Sequence, residues 1–211
     1  ESKANELEIW YQPNDPLGTG KGIFPGRVAW GHNPQIASWD GKTGLWWDDS
    51  FNNQEETDKL FAETLFNLTN KQTEKEAWTE LFTFYNKSKL NKEQDYVSGE
   101  KIAIKINMNN TDGHENTNRI NANPQLVLTL LSSLIHEAGV AEEDIVVADP
   151  SRFITDNIYE KYHAVFPKVR FEDHVGGDGR QKATFVENGF QYSFDFDGQT
   201  RGLATSFVEA D

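Results

Sequence analysis

Cysteine is absent from the 211 residues, and methionine occurs once. Without thiolates the chain supplies no iron–sulfur cluster, no thiolate zinc site and no cysteine nucleophile. Positive charge is scarce. Lys and Arg number 20 against 34 Asp and Glu, for a net charge of −14. That balance excludes a nucleic-acid groove, which needs a basic field. No run of 18 apolar residues occurs, so no membrane span is predicted. Nucleotide chemistry also lacks its signatures. There is no P-loop, and Gly176-Gly177-Asp178-Gly179-Arg180 precedes a predicted strand, not the helix N-terminus that would hold a phosphate. The zinc-protease pattern opened by His136-Glu137 fails at Val140, and Asp195-Phe196-Asp197-Gly198 lacks the remaining ligands of a calcium loop. Neither a cofactor nor a metal is predicted.

Aromatic residues are abundant by contrast: 6 Trp, 6 Tyr and 14 Phe, too many for a disordered chain. Five of the six Trp precede residue 50, within a stretch broken by glycine and proline. This loop-rich aromatic arm needs packing to stay ordered. Residues 23–30 have the composition of one short strand. Trp30, Trp39, Trp46 and Trp47 are candidate anchors for a protein partner or a sugar, or else the arm's own core.

Two helices follow. Asn53 with Glu56, and Thr73 with Glu76, form capping boxes. Leu60, Phe61, Leu65 and Leu68, then Ala77, Trp78, Leu81, Phe82 and Tyr85, recur at helical spacing. The grammar then changes. Residues 101–107, 144–148 and 169–172 read as strands. Between them lie a helix capped by Asn123, with Pro124 at its first position and Gly139 past its end, and a helix over 155–166. Thr129, Ser132, Ser133 and His136 share the polar, solvent-facing side of the first. Strand–helix alternation predicts an α/β fold with a mostly parallel sheet and flanking helices. Residues 183–187 and 190–196 flank Asn188-Gly189, which predicts an antiparallel hairpin. Residues 203–211 read as a last strand, cut short. The chain divides into an N-terminal arm and helical pair, 1–98, packed on an α/β core, 99–211. Glu1 in place of Met suggests either a trimmed chain or a processed N-terminus, the latter implying a periplasmic or extracellular location.

In open α/β sheets, ligands bind outside the carboxyl ends of the strands. Applied here, that rule selects Asn107, Asn109 and Asn110; Asp149, Ser151 and Arg152; and Asp173 and His174. Arg152 is a fork-shaped donor for a carboxylate or phosphate. Asp149 and His174 are candidate acid–base groups, and Lys105, inside a strand expected to be covered on both faces, is tunable if buried. The expected function is binding of, or catalysis on, a small anionic ligand. Lys105 and Asp149 would move protons, and Asn107, Asn109, Ser151, Arg152 and His174 would bind. The alternative is a non-catalytic accessory module of a surface or secreted assembly.

Three motifs occur in order: Ile102-Ala103-Ile104-Lys105-Ile106-Asn107, His136-Glu137-Ala138-Gly139 and Val146-Val147-Ala148-Asp149-Pro150-Ser151. Together they resemble the bacterial domain-of-unknown-function family 362 over residues 99–211. Gly22-Ile23-Phe24-Pro25-Gly26-Arg27-Val28 and Trp46-Trp47 are similar to secreted Bacteroidota members. The resemblance implies no settled reaction. It implies export, and a further strand with a Lys and a His beyond Asp211, so that the core would be incomplete. Some members are fused to iron–sulfur domains, a role that the lack of cysteine removes here.

Overall fold

The computed structural model describes residues 18–187, 191–193 and 200–210. The first helix, α1 (Gln54–Thr69), starts where the Asn53 side chain accepts from the Glu56 N–H, and α2 (Glu74–Tyr85) starts on the same bond from Glu76 to Thr73. Thr73 Oγ1 also donates to the Glu76 carboxylate, whereas the Asn53 N–H donates to the Ile36 carbonyl, so the caps form where the sequence placed them but the Asn53 box does not close. A π turn, Asn86–Leu90, carries α2 onward. Asn70 ends α1 in the left-handed conformation that asparagine tolerates well.

The core is a four-stranded, all-parallel sheet. Its strands are β1 (Ile102–Lys105), β2 (Ile145–Asp149), β3 (Arg170–Asp173) and β4 (Gln181–Lys182), in that order across the sheet. Helix α3 (Pro124–Ser132), continued by a π turn at Ser133–Glu137, joins β1 to β2, and α4 (Asp156–Val165) joins β2 to β3. The α/β fold is as expected. The register pairs Val147 with Phe171 and Ile104 with Val147. Period-2 alternation therefore puts Ile102, Ile104, Ile145, Val147 and Phe171 on one face. There they pack with Val127, Leu131 and Leu134 of the α3 segment and Ile158 and Tyr162 of α4. Every residue of β2 is buried, as a central parallel strand requires.

Four expectations fail. Residues 183–187 do not form a strand, so the hairpin across Asn188-Gly189 is not seen, and that turn lies outside the described residues. Instead β5 (Gln191–Ser193) pairs antiparallel with β6 (Thr200–Gly202). Phe alternation marks a strand but does not name its partner. Secondly, the expected last strand contains a one-turn helix, α5 (Thr205–Val208), whose buried Ser206 donates to the buried Glu172 of β3. Thirdly, residues 23–30 are turn and coil, not strand.

Finally, the polar side of α3 does not face solvent throughout. Thr129 and Ser133 are buried, donating to Asp58 of α1 and Glu74 of α2. Trp78 of α2 donates its indole N–H to Ser133 Oγ at 2.7 Å, so the helical pair docks on the core through hydrogen bonds as well as apolar contact. His136 is exposed.

Candidate functional site

The carboxyl ends of β2 and β3 carry two buried carboxylates, Asp149 at 1% and Asp173 at 0% exposure, paired across the strands. An unpaired buried carboxylate is very costly, so each must be surrounded by donors. Asp149 Oδ2 accepts from the Met108 N–H at 2.8 Å and lies 3.3 Å from Lys105 Nζ. Its Oδ1 accepts from the Ser151 N–H at 3.1 Å and the Ser151 hydroxyl at 2.9 Å. Asp173 Oδ1 accepts from the N–H groups of Val175 and Gly176, and Oδ2 from that of Ile154 and from His114 Nε2 at 2.7 Å. Each carboxylate thus stitches the loop after its own strand to another loop.

Lys105 occupies a different position from the one expected. It ends β1, an edge strand, and its side chain is 47% exposed. Its ammonium also donates to the Ile106 carbonyl. The local sequence reads as a strand covered on both faces, but a short apolar run does not distinguish a central strand from an edge. Lys105 is therefore a half-exposed cation pinned by a buried anion. Asp149 has both oxygens occupied, which makes it a holder of Lys105 and of the Ser151 loop.

The remaining predicted residues distribute along the same edge. Arg152 is exposed, with Nη1 on the Ser151 carbonyl at 2.8 Å. His174 is exposed, and its N–H donates to the Arg152 carbonyl at 3.1 Å. Asn107 and Asn109 are exposed too. The Asn107 carbonyl accepts from the Ala122 N–H, and the Asn109 N–H donates to Asn121, so the Asn-rich loop closes on itself. Asn110 is buried; its side chain accepts from Thr117 and donates to the Gly113 carbonyl within the loop, and its own carbonyl accepts from the Phe153 N–H at 3.3 Å.

One residue was missed as part of this site. His114 lies in the Asn-rich loop, yet its ring bridges Asp173 and, at 3.5 Å, Asp178. Phe153 stands between the two histidines, edge-on to His114 and to His174. The partner of His114 is 59 residues away, and no local pattern announces it. An orphan His in an otherwise amide-rich loop was the available signal.

The Gly-rich loop is structural. A Cβ at Gly176 would fall 2.6 Å from the Lys182 backbone nitrogen, and one at Gly179 would fall 2.0 Å from the Tyr159 hydroxyl; both have positive φ. These glycines let β4 fold back beside β3. Arg180, buried, covers the Tyr159 ring and pairs with Asp156 at 2.8 Å.

The aromatic arm is divided. Trp46 and Trp47 are half-buried and donate their indole N–H groups to the Arg119 and Thr117 carbonyls, at 2.9 and 2.8 Å. They fasten the arm to the Asn-rich loop. Trp39 is half-buried and bonded to the Thr43 carbonyl. Trp30 is 82% exposed and stacks on His32.

Among the described residues, no cluster of three or more His, Asp or Glu side chains is placed to hold a metal ion. No helix among them is long and apolar enough to cross a membrane. The chain matches no family model, no curated protein and no solved structure.

Proposed function

We propose that the chain binds a small anionic ligand at the carboxyl edge of its parallel sheet. The observation that carries this reading is Lys105, a half-exposed side chain whose ammonium is held by a buried carboxylate at the strand end. The same carboxylate fixes the Ser151 loop, and Arg152 in that loop presents an exposed guanidinium. Preorganised donors bind an anion at lower entropic cost than free side chains do. In a chain of net charge −14, cations gathered at one edge stand out. Lys105 and Arg152 would contact the ligand, Asn107, Asn109 and His174 would line the rim, and Asp149 would position Lys105.

Calorimetric titration with inorganic phosphate tests this. Wild type should bind saturably, more weakly as salt rises. Arg152→Gln and Lys105→Gln should each weaken binding by about tenfold, the loss of one charge-assisted bond. No saturable binding by wild type, or wild-type affinity retained in both variants, contradicts the proposal.

A second reading, an accessory module, draws on the exposed Trp30–His32 stack and on Val28, 85% exposed beside it in sequence. Solvent-facing aromatics are common anchors in interfaces. The surface for such a partner would be Trp30, since the indole N–H groups of Trp39, Trp46 and Trp47 are used internally. A Trp30→Ser variant that keeps the wild-type melting curve and every wild-type association in solution contradicts it.

A further inference from the structure

A cleft of about 350 Å³ opens on the flank of the sheet, between α2, the π turn at its end and edge strand β1. Leu81, Phe82, Phe84, Tyr85 and Ile102 give it apolar and aromatic walls. Asn86 and Glu100 add polar atoms. Ile102 opens β1 and Lys105 ends it, so about 10 Å of strand separates this cleft from the Lys105 edge.

The walls are open to a ligand. Phe84 and Tyr85 are 37% and 41% exposed, and Ile102 is half-buried. Covering them removes apolar surface from water. Small-molecule sites have volumes on the order of 300–1,000 Å³, mostly apolar linings and a few fixed polar groups.

Glu100 is the fixed polar group. Its Oε2 accepts from the Val97 N–H at 2.7 Å, and its Oε1 from Gln94 Nε2 at 3.3 Å. Gln94 is held in turn, because the buried Asn86 donates Nδ2 to its carbonyl at 3.1 Å. The carboxylate is therefore oriented before anything binds. Glu100 is only half-buried, and each carboxylate oxygen can accept a further bond. Among the described residues that line the cleft there is no Lys, Arg or His, so Glu100 is their single charge. Lys101, next in sequence, is bonded to Asp144 at 2.5 Å.

These features select the ligand. Glu100 repels an anion. An uncharged apolar body would desolvate the carboxylate and return no hydrogen bond, which is costly. An ammonium group pairs with it, and Phe and Tyr rings attract cations as well. The apolar walls then call for an apolar body behind the charge. A net charge of −14 favours the approach of a cation.

We propose that this cleft binds a small aralkylammonium ion, with its ring against Phe84 and Tyr85 and its ammonium on Glu100. Amide NMR of the full chain tests it, with phenethylammonium, phenethyl alcohol and phenylacetate added in separate titrations. Phenethylammonium should move the amides of Leu81–Asn86 and Glu100–Ile102 saturably. The alcohol should bind at least about tenfold more weakly, since it lacks the charge-assisted bond, and phenylacetate should not saturate. Glu100→Gln should weaken phenethylammonium binding by about tenfold and leave the affinity for the alcohol unchanged. A merely structural role for Glu100 would weaken both. Should that variant misfold, the exposed Tyr85→Leu should give a loss of about threefold for the ammonium. The proposal fails if phenethylammonium does not saturate these signals, if the alcohol or phenylacetate binds as tightly, or if the folded variant keeps wild-type affinity. Phosphate binding at the Lys105 edge is read on the Ser151 and Arg152 signals, so either reading can fail without the other.

Discussion

Strand β2 is bracketed by two buried acids, Asp144 just before it and Asp149 at its end, and the two are used differently. At the amino end, Asp144 accepts from Lys101 Nζ at 2.5 Å, the Tyr96 hydroxyl at 2.7 Å and the Gly99 N–H at 2.9 Å. All three donors come from one continuous stretch, so the acid ties a single segment to the sheet. Burial raises its pKa, but the Lys101, Tyr96 and Gly99 hydrogen bonds outweigh burial and hold it below the usual carboxylate value. Burial and the Asp144 hydrogen bond in turn push the Tyr96 hydroxyl up. At the carboxyl end, Asp149 and Asp173 take donors from several loops and leave Arg152, His174, Asn107 and Asn109 exposed around them. The same chemical device closes one end and holds open the other. The proposed anion site is at the carboxyl end, where side chains remain exposed.

The largest effect should come from the most embedded acid. Asp173→Ala strands three backbone N–H groups and the His114 ring, and should cost about 3–5 kcal/mol in chemical denaturation. A loss below about 1 kcal/mol would remove Asp173 as the organiser of this edge. Gly179→Ala comes next, at about 2 kcal/mol, from a positive φ and the Tyr159 clash. An unchanged midpoint would mean the loop yields freely.

The amino end should respond less, and with pH. Asp144→Asn should cost about 1–2 kcal/mol at neutral pH. A lowered folded-state pKa contributes stability that is complete above the unfolded value, about 3.9, and is lost as pH falls through the folded value. Wild type should therefore destabilise on acidification below about pH 4, and Asp144→Asn should flatten that part of the curve. Parallel curves would show that Asp144 does not supply the slope. The smallest effects belong to the arm. Trp46→Phe and Trp47→Phe should each cost about 1 kcal/mol, the worth of an indole–carbonyl bond. Trp30→Ser should stay within about 0.5 kcal/mol of wild type.

What was legible in the residues was local. Asn53, Thr73 and Asn123 each cap the helix that their spacing predicts, because a cap and its third residue are neighbours. Strand–helix alternation was enough for the parallel sheet. What was hidden depended on distant partners. Nothing near Lys105 tells an edge strand from a central one. Nothing near His114 points to Asp173, and Phe alternation over 190–196 left β5 free to pair with β6. The two-residue β4 is too short for any periodicity to show. Strand-end logic placed Lys105, Asp149, Ser151 and Arg152 along the carboxyl edge, where they lie, because topology alone places strand ends. It did not show that both oxygens of Asp149 are already occupied, since that depends on which distant groups donate to it.

The central claim is that the carboxyl edge, and not the amino end, presents donors to an anion. Amide NMR of the full chain during titration with inorganic phosphate tests it most directly. The account predicts saturable shifts confined to the amides of Ile106–Asn110, Ser151, Arg152 and His174, with those of Tyr96–Lys101 and Asp144 unmoved. Shifts at the amino end, or none at the carboxyl edge, would contradict it.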